Sequence, residues 1–202
     1  MSITTYAELK SAIADFLFGR TDLAAVSGTF ISMAEARIAR DLRHWKQEKR
    51  VTTNVDEQYE NLPTDWIRID NVSHAAGGLI SSISASEMEA KRAASTTAGK
   101  PRYMRISANQ IEFYPAPDQT YEIKMDYMAK IPALTNAAPS NWLLEYAPDV
   151  LLYGALMQSA PYLGEDARVA VWGGMYQSGI EALNSESKSA TVAGPLKMGI
   201  PR

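Results

Sequence analysis

Residues 111–128 read IEFYPAPDQTYEIKMDYM. Ile111 and Phe113 alternate with Glu112 and Tyr114. Tyr121, Ile123, Met125 and Tyr127 alternate with Glu122, Lys124 and Asp126. An apolar residue at every second position turns one face of a strand to a core and the other outward. Pro115-Ala116-Pro117-Asp118-Gln119 between the runs has turn composition. The stretch therefore predicts a two-stranded ribbon whose polar face carries Glu112, Glu122, Lys124 and Asp126. Both ends of the chain follow a different period, that of the α-helix, and this contrast decides the fold.

Upstream, Thr5 and Glu8 have the spacing of a capping box. Tyr6, Leu9, Ile13, Phe16 and Leu17 then fall on one helical face, and Gly19 is placed to close the helix. A second helix is predicted from about Thr29, with Phe30, Met33, Ala34, Ile38 and Leu42 as its apolar stripe. Arg37, Arg40 and Arg43 sit in its last turns, where positive charge suits the helix dipole. From residue 47 the period shortens. KRVTTNV, Trp66–Val72, Leu79–Ile83 and Tyr103–Ile106 read as strands, separated by Asn61–Asp65, Gly77-Gly78 and Ser107-Ala108-Asn109. With the ribbon they predict one antiparallel sheet of about five strands. A short helix capped by Ser84 or Ser86 runs to Ala94, and STTAGKP over 95–101 reads as a loop.

Downstream, Ser140 or Asn141 starts a short helix at Trp142, and Pro148 suits the first turn of the next. Val150–Met157 is apolar nearly all round, the pattern of a central helix that Pro161 ends. The last helix begins near Glu165 and Asp166, with Val169, Trp172, Tyr176, Ile180 and Leu183 as its stripe. Helices split by a sheet share one core only if the sheet is an insertion. The expected fold is α+β: a helical bundle formed by both chain ends (residues 1–46 and 140–187), an inserted small antiparallel β-domain (47–139) and an extended C-terminal tail (188–202).

Composition limits the function. The 202 residues are 46% hydrophobic and 21% charged, and none is cysteine. That profile suits a folded domain without disulfides or thiolate metal sites. The amino terminus lacks the pattern of a signal peptide, and no run of about 18 apolar residues could span a membrane. Synthesis in the cytoplasm is the expectation. The net charge of −3 argues against an independent nucleic-acid binder. Charge is unevenly spread: residues 1–50 hold eight basic against six acidic side chains, whereas over 140–187 Arg168 stands against Glu145, Asp149, Glu165, Asp166, Glu181 and Glu186. The two ends complement each other within one chain or between copies.

No catalytic constellation forms. A hydrolytic triad needs histidine or a substitute. His44 reads as a helix-end cap and His74 as a solvated turn residue. Glu112, Glu122 and Asp126 could be paired carboxylates, but alternation alone accounts for them. The basic stretch Lys91, Arg92, Lys100, Arg102 and Arg105 allows either a phosphate contact or a loop seated on an acidic neighbour. Gly173-Gly174, costly in a helix, marks a close crossing inside the core or between subunits. Pro195, Leu196, Met198 and Ile200 suit an extended segment that docks on a partner.

Three blocks together resemble the head-to-tail adaptor, or connector, proteins of tailed bacteriophages, especially short-tailed ones. The first is Leu62-Pro63-Thr64-Asp65-Trp66. The second is Gly99-Lys100-Pro101-Arg102-Tyr103 with Asn109–Pro117. The third is Ile131–Leu134, Asn141–Leu144, Tyr153–Leu156 and Ala160–Leu163. The resemblance covers about residues 1–186 and leaves out the tail. It implies a virion structural protein at the head–tail junction, with no enzymatic activity and no cofactor. It implies a homo-oligomeric ring, usually of about twelve copies, head-to-tail contacts between them needing two complementary patches. The ring lies beneath the portal protein, extends the DNA channel without binding DNA specifically, and receives the tail or nozzle protein. The residues themselves, by charge, exposure pattern and glycine placement, offer Arg37, Arg40, Glu112, Glu122, Lys124, Asp126, Gly173 and Gly174 as candidate contacts for a subunit or tail protein. Those for the portal are Pro195, Leu196, Met198 and Ile200. A stand-alone module holding a glycan or peptide on the β-insertion is the alternative, and a carboxylate hydrolase a third reading.

Overall fold

In the computed structural model, residues 3–17, 25–163 and 167–191 are described. The chain forms two compact units. One is Gln47–Lys130; the other is built from the chain on both sides of it, up to Lys46 and from Ile131 onward. The fold is mixed α+β, with seven α-helices among the described residues and two small sheets inserted between terminal helices that pack together.

In the helical unit, α1 (Tyr6–Phe16) starts at the expected capping box: Thr5 Oγ1 accepts the Glu8 N–H and Glu8 Oε2 accepts the Thr5 N–H. The second helix, α2 (Ser27–Asp41), ends where Arg43 Nη1 donates to the carbonyls of Ala39 and Leu42, satisfying groups the helix leaves open. Phe30, Ala34, Ile38 and Leu42 are buried as expected, together with Ile31. Met33 is not: it is half exposed. The remaining helices of this unit lie downstream. Asn141 caps α4 (Trp142–Tyr146) through its side chain, and Pro148 opens α5 (Pro148–Gln158). The apolar-all-round α5 buries Val150, Leu151, Leu152, Ala155 and Leu156, which join Leu9, Ile13, Phe30, Ile38, Tyr176 and Ile180 in one core. Pro161 does not follow a helix end directly; it sits inside the short α6 (Ala160–Leu163). The last helix, α7 (Arg168–Thr191), continues four residues past the expected boundary, so residues 188–191 are helix and not extended tail. Gly19, Glu165 and Asp166, expected at helix ends, lie outside the described residues.

The inserted unit corrects the reading of the ribbon. It has seven strands in two sheets rather than one sheet of five. The strands are β1 (Glu48–Val55), β2 (Tyr59–Asn61), β3 (Trp66–His74), β4 (Ser81–Ser82), β5 (Tyr103–Ser107), β6 (Gln110–Tyr114) and β7 (Tyr121–Ala129). The first sheet is ordered β1-β7-β3 and the second β2-β6-β5-β4. The two runs of the ribbon, β6 and β7, do not pair: each lies inside a different sheet, and residues 115–120 carry the chain from one to the other. Pairing is antiparallel except for β4 against β5, which is parallel. The core of this unit is Val55, Leu62, Val72, Ile80, Met104, Ile111, Phe113, Ile123, Met125, Tyr127 and Ala129. It collects the alternating apolar positions of both sheets, as the period demands. The helix α3 (Ala85–Ala94) crosses between β4 and β5 with its own capping box at Ser84 and Glu87.

Candidate interaction surfaces

The polar face of the three-stranded sheet comes from the register. Arg50 on β1 and Asn71 on β3 both stand opposite Asp126 of β7. Arg50 binds both Asp126 oxygens and Asn71 Nδ2 lies 3.4 Å from Oδ2. The Arg50 hydrogen bond is the largest influence holding the Asp126 carboxyl below the usual carboxylate range. Asp126 is thus engaged within its own sheet, while Glu122 and Lys124 remain exposed beside it. Asp65, from the Leu-Pro-Thr-Asp-Trp block, plays a similar part: it pairs with Lys49 and accepts the Tyr127 hydroxyl at 3.0 Å. The Lys49 contact lowers its pKa most.

Glu112 is not on an outward face. Its strand is internal to the four-stranded sheet, and its side chain is 1% exposed. Arg105 Nε and Nη2 donate to Oε2 at 3.1 and 3.0 Å, and Arg92 pairs with Oε1. Gln58 Nε2 and the Tyr59 hydroxyl lie 3.5 Å from that same oxygen. A buried charge needs such partners. Two of the basic residues that suggested a phosphate contact are therefore committed to a carboxylate inside the unit. The signal was in the sequence. A tight turn at Ala108-Asn109 sets Ser107 opposite Gln110, hence Arg105 opposite Glu112.

In the helical unit, Arg40 and Met33 are exposed on α2, and with Ala36, Arg37, Asp41 and Gln158 they line an open depression of about 480 Å³. Arg37 lies 3.4 Å from Asp41 and 5.1 Å above the Tyr176 ring. Tyr176 also donates to Asp41 at 2.9 Å, and burial raises its pKa well above the ordinary phenol range. The glycine pair separates. A Cβ added at Gly174 would face open space, and one added at Gly173 would meet only the Met157 side chain, at 3.8 Å. The tight positions inside this unit are Gly28, Gly154 and Gly179, where an added Cβ would stand 2.8 Å from the Tyr6 hydroxyl, 3.3 Å from the Ala34 Cβ and 2.7 Å from the Val150 Cγ2. So Gly173-Gly174 is not the internal crossing.

Both histidines differ from expectation. His44 is fully buried, stacked on Trp142 at 5.4 Å and flanked by Trp45 and Tyr146. Burial lowers its pKa, helped by Lys46 and opposed by Glu186. His74 is buried at the end of β3, its Nε2 2.7 Å from the Pro101 carbonyl, which fixes that nitrogen as the donor. No group of three or more metal-ligating side chains forms among the described residues. Pro195, Leu196, Met198 and Ile200 lie outside them.

Among the described residues the geometry offers surface, with Asp126, Asp65 and Glu112 paired and no grouping of metal-ligating side chains. The family comparison agrees: the model of the SU10 adaptor protein matches residues 4–199. This chain belongs to that family. The SU10 adaptors are head-to-tail adaptors of bacteriophages, so the protein is a structural component and not an enzyme. It connects head and tail, which implies contacts with portal and tail components. No curated protein matches the adaptor in sequence. No helix among its described residues is long and apolar enough to cross a membrane.

Proposed function

We propose that this adaptor assembles as a homo-oligomeric ring of about twelve copies beneath the portal vertex of the virion. The ring extends the DNA channel and offers its far side to the tail or nozzle protein. Each copy is made in the bacterial host cytoplasm. The observation that carries this reading is the match to the adaptor family over nearly the whole chain. The surface supports it: a ring of identical subunits needs two unlike, complementary patches. The face of α2 that carries Met33, Arg37 and Arg40 is basic, and exposed Glu145, Glu181 and Glu186 on α4 and α7 are acidic. Open Gly174 would let a neighbouring backbone approach α7. Glu122 and Lys124 remain for a subunit or a tail protein, and Pro195, Leu196, Met198 and Ile200 for the portal. A wall built from copies of net charge −3 would let DNA pass without adhering. Electron microscopy of the phage particle tests the proposal: density for this chain is expected as a ring between portal and tail, and its absence there refutes it.

A further inference from the structure

We infer that residues 84–98, the helix α3 with the segment after it, form a releasable strap latched to the four-stranded sheet by Arg92 and Glu112. The strap is tied at both ends by backbone bonds: Ile83 N–H donates to the Met104 carbonyl at 3.0 Å, and Gly99 N–H to the Ala116 carbonyl at 2.8 Å. Between these ties little apolar surface holds it. Met88 is the one buried residue of α3, and it lies outside the apolar cluster of the unit. The amino-terminal end of α3 needs no tertiary support, because the Ser84–Glu87 capping box satisfies it locally.

The remaining contacts are polar, with Lys91 Nζ 4.0 Å above the Tyr103 ring of β5 among them, and can be exchanged for water. Arg92 reaches Glu112 and the Tyr59 hydroxyl, the latter at 2.7 Å. The Tyr114 hydroxyl lies 2.8 Å from the Lys91 carbonyl and 3.0 Å from that of Ser95. Beside them, a cleft of about 240 Å³ is lined by Gln58, Tyr59, Arg92, Tyr114, Ala116 and Ser95–Thr97, the residues after the helix.

The two arginines make release feasible. Losing the partner of a buried carboxylate is ordinarily prohibitive. Here Arg105 holds Oε2 through two nitrogens on the neighbouring strand, independently of α3. When Arg92 leaves, Glu112 keeps a guanidinium and the sheet stays intact. Arg92, about a quarter exposed, passes directly to solvent. Met88 and Arg92 are four residues apart and share a helix face. A lifted strap therefore presents an apolar knob beside a cation, suited to an acidic, apolar socket on another chain.

The absence of native cysteine allows a direct test in the full chain. Met88→Cys creates one thiol under the strap; Ile123→Cys creates one equally buried on β7. Reaction with a soluble disulfide reagent under native conditions should be faster for Met88→Cys by about tenfold or more, because local opening precedes global unfolding. Adding Arg92→Met should speed Met88→Cys further and leave Ile123→Cys unchanged. Hydrogen exchange on the unaltered chain provides the second measurement: amides of 85–94 should exchange before those of β6 and β7. Equal thiol rates, a Met88→Cys rate unmoved by Arg92→Met, or α3 amides as protected as β6 and β7 would overturn the inference.

Discussion

A Cβ placed on Gly179 of α7 would stand 2.7 Å from Cγ2 of Val150 on α5, closer than real side chains approach. Val150 is buried in the core and cannot swing aside. Gly179→Ala should therefore cost about 1–3 kcal/mol through overpacking. Gly174→Ala, facing open space, should be neutral or stabilise by up to about 1 kcal/mol, the helix-propensity difference. Urea unfolding followed by circular dichroism separates the two. If Gly174 is a subunit crossing, the same Gly174→Ala chain should fold well and assemble poorly.

His44 makes the helical unit sensitive to mild acid. Its folded pKa lies below the ordinary value near 6.5, chiefly because it is buried. The unfolded chain thus takes up this proton first as pH falls. Stability should be intact above about pH 6.5 and decline as pH drops below it. Thermal melts from pH 7.5 to 5 should show the decline, and His44→Gln, though less stable throughout, should flatten that part of the curve. An unchanged slope in the variant would remove His44 as the cause.

Charge reversal should divide folding from assembly. Arg40 and Lys124 are exposed, so Arg40→Glu and Lys124→Glu should shift monomer stability by less than about 0.5 kcal/mol. On the proposed function, each reversal should reduce ring formation or incorporation into particles, measured by sedimentation and by electron microscopy. A variant that assembles like the parent takes its residue out of the interface.

The boundary for a truncation follows from α7. Ser187 is buried and the helix continues to Thr191, so cutting at 188 would remove helix. Removing 192–202 should leave the melting temperature within about 2 °C of the parent. It should weaken attachment to portal-bearing heads, measured by co-sedimentation. Full attachment by the shortened chain would end the docking proposal for Pro195, Leu196, Met198 and Ile200.

Several local features are legible in the sequence alone. Thr5–Glu8 announces a helix start, Pro148 opens α5, Gly77-Gly78 turns with positive φ at both positions, and Ser84 and Asn141 are each one of two caps the sequence offers for α3 and α4. Each depends only on neighbours within a few residues. The α+β plan is legible for the same reason, because hydrophobic period is a local property that switches near residue 47.

Other readings were changed by the tertiary structure. Met33 falls on an apolar stripe, yet it is half exposed. His44 looks like a cap until Trp142, far along the chain, stacks on it. Gly173-Gly174 is the conspicuous glycine pair, whereas the tight positions inside the helical unit are Gly28, Gly154 and Gly179, and only helix packing selects them. Alternation in IEFYPAPDQTYEIKMDYM determined by itself that two strands lie there and which of their residues enter a core. Only the tertiary structure decided that the strands join different sheets and that Glu112 is enclosed. A strand's period specifies its faces, but its neighbours depend on which distant edges its backbone can satisfy, and a strand with neighbours on both sides can bury a charge that an edge would leave in water.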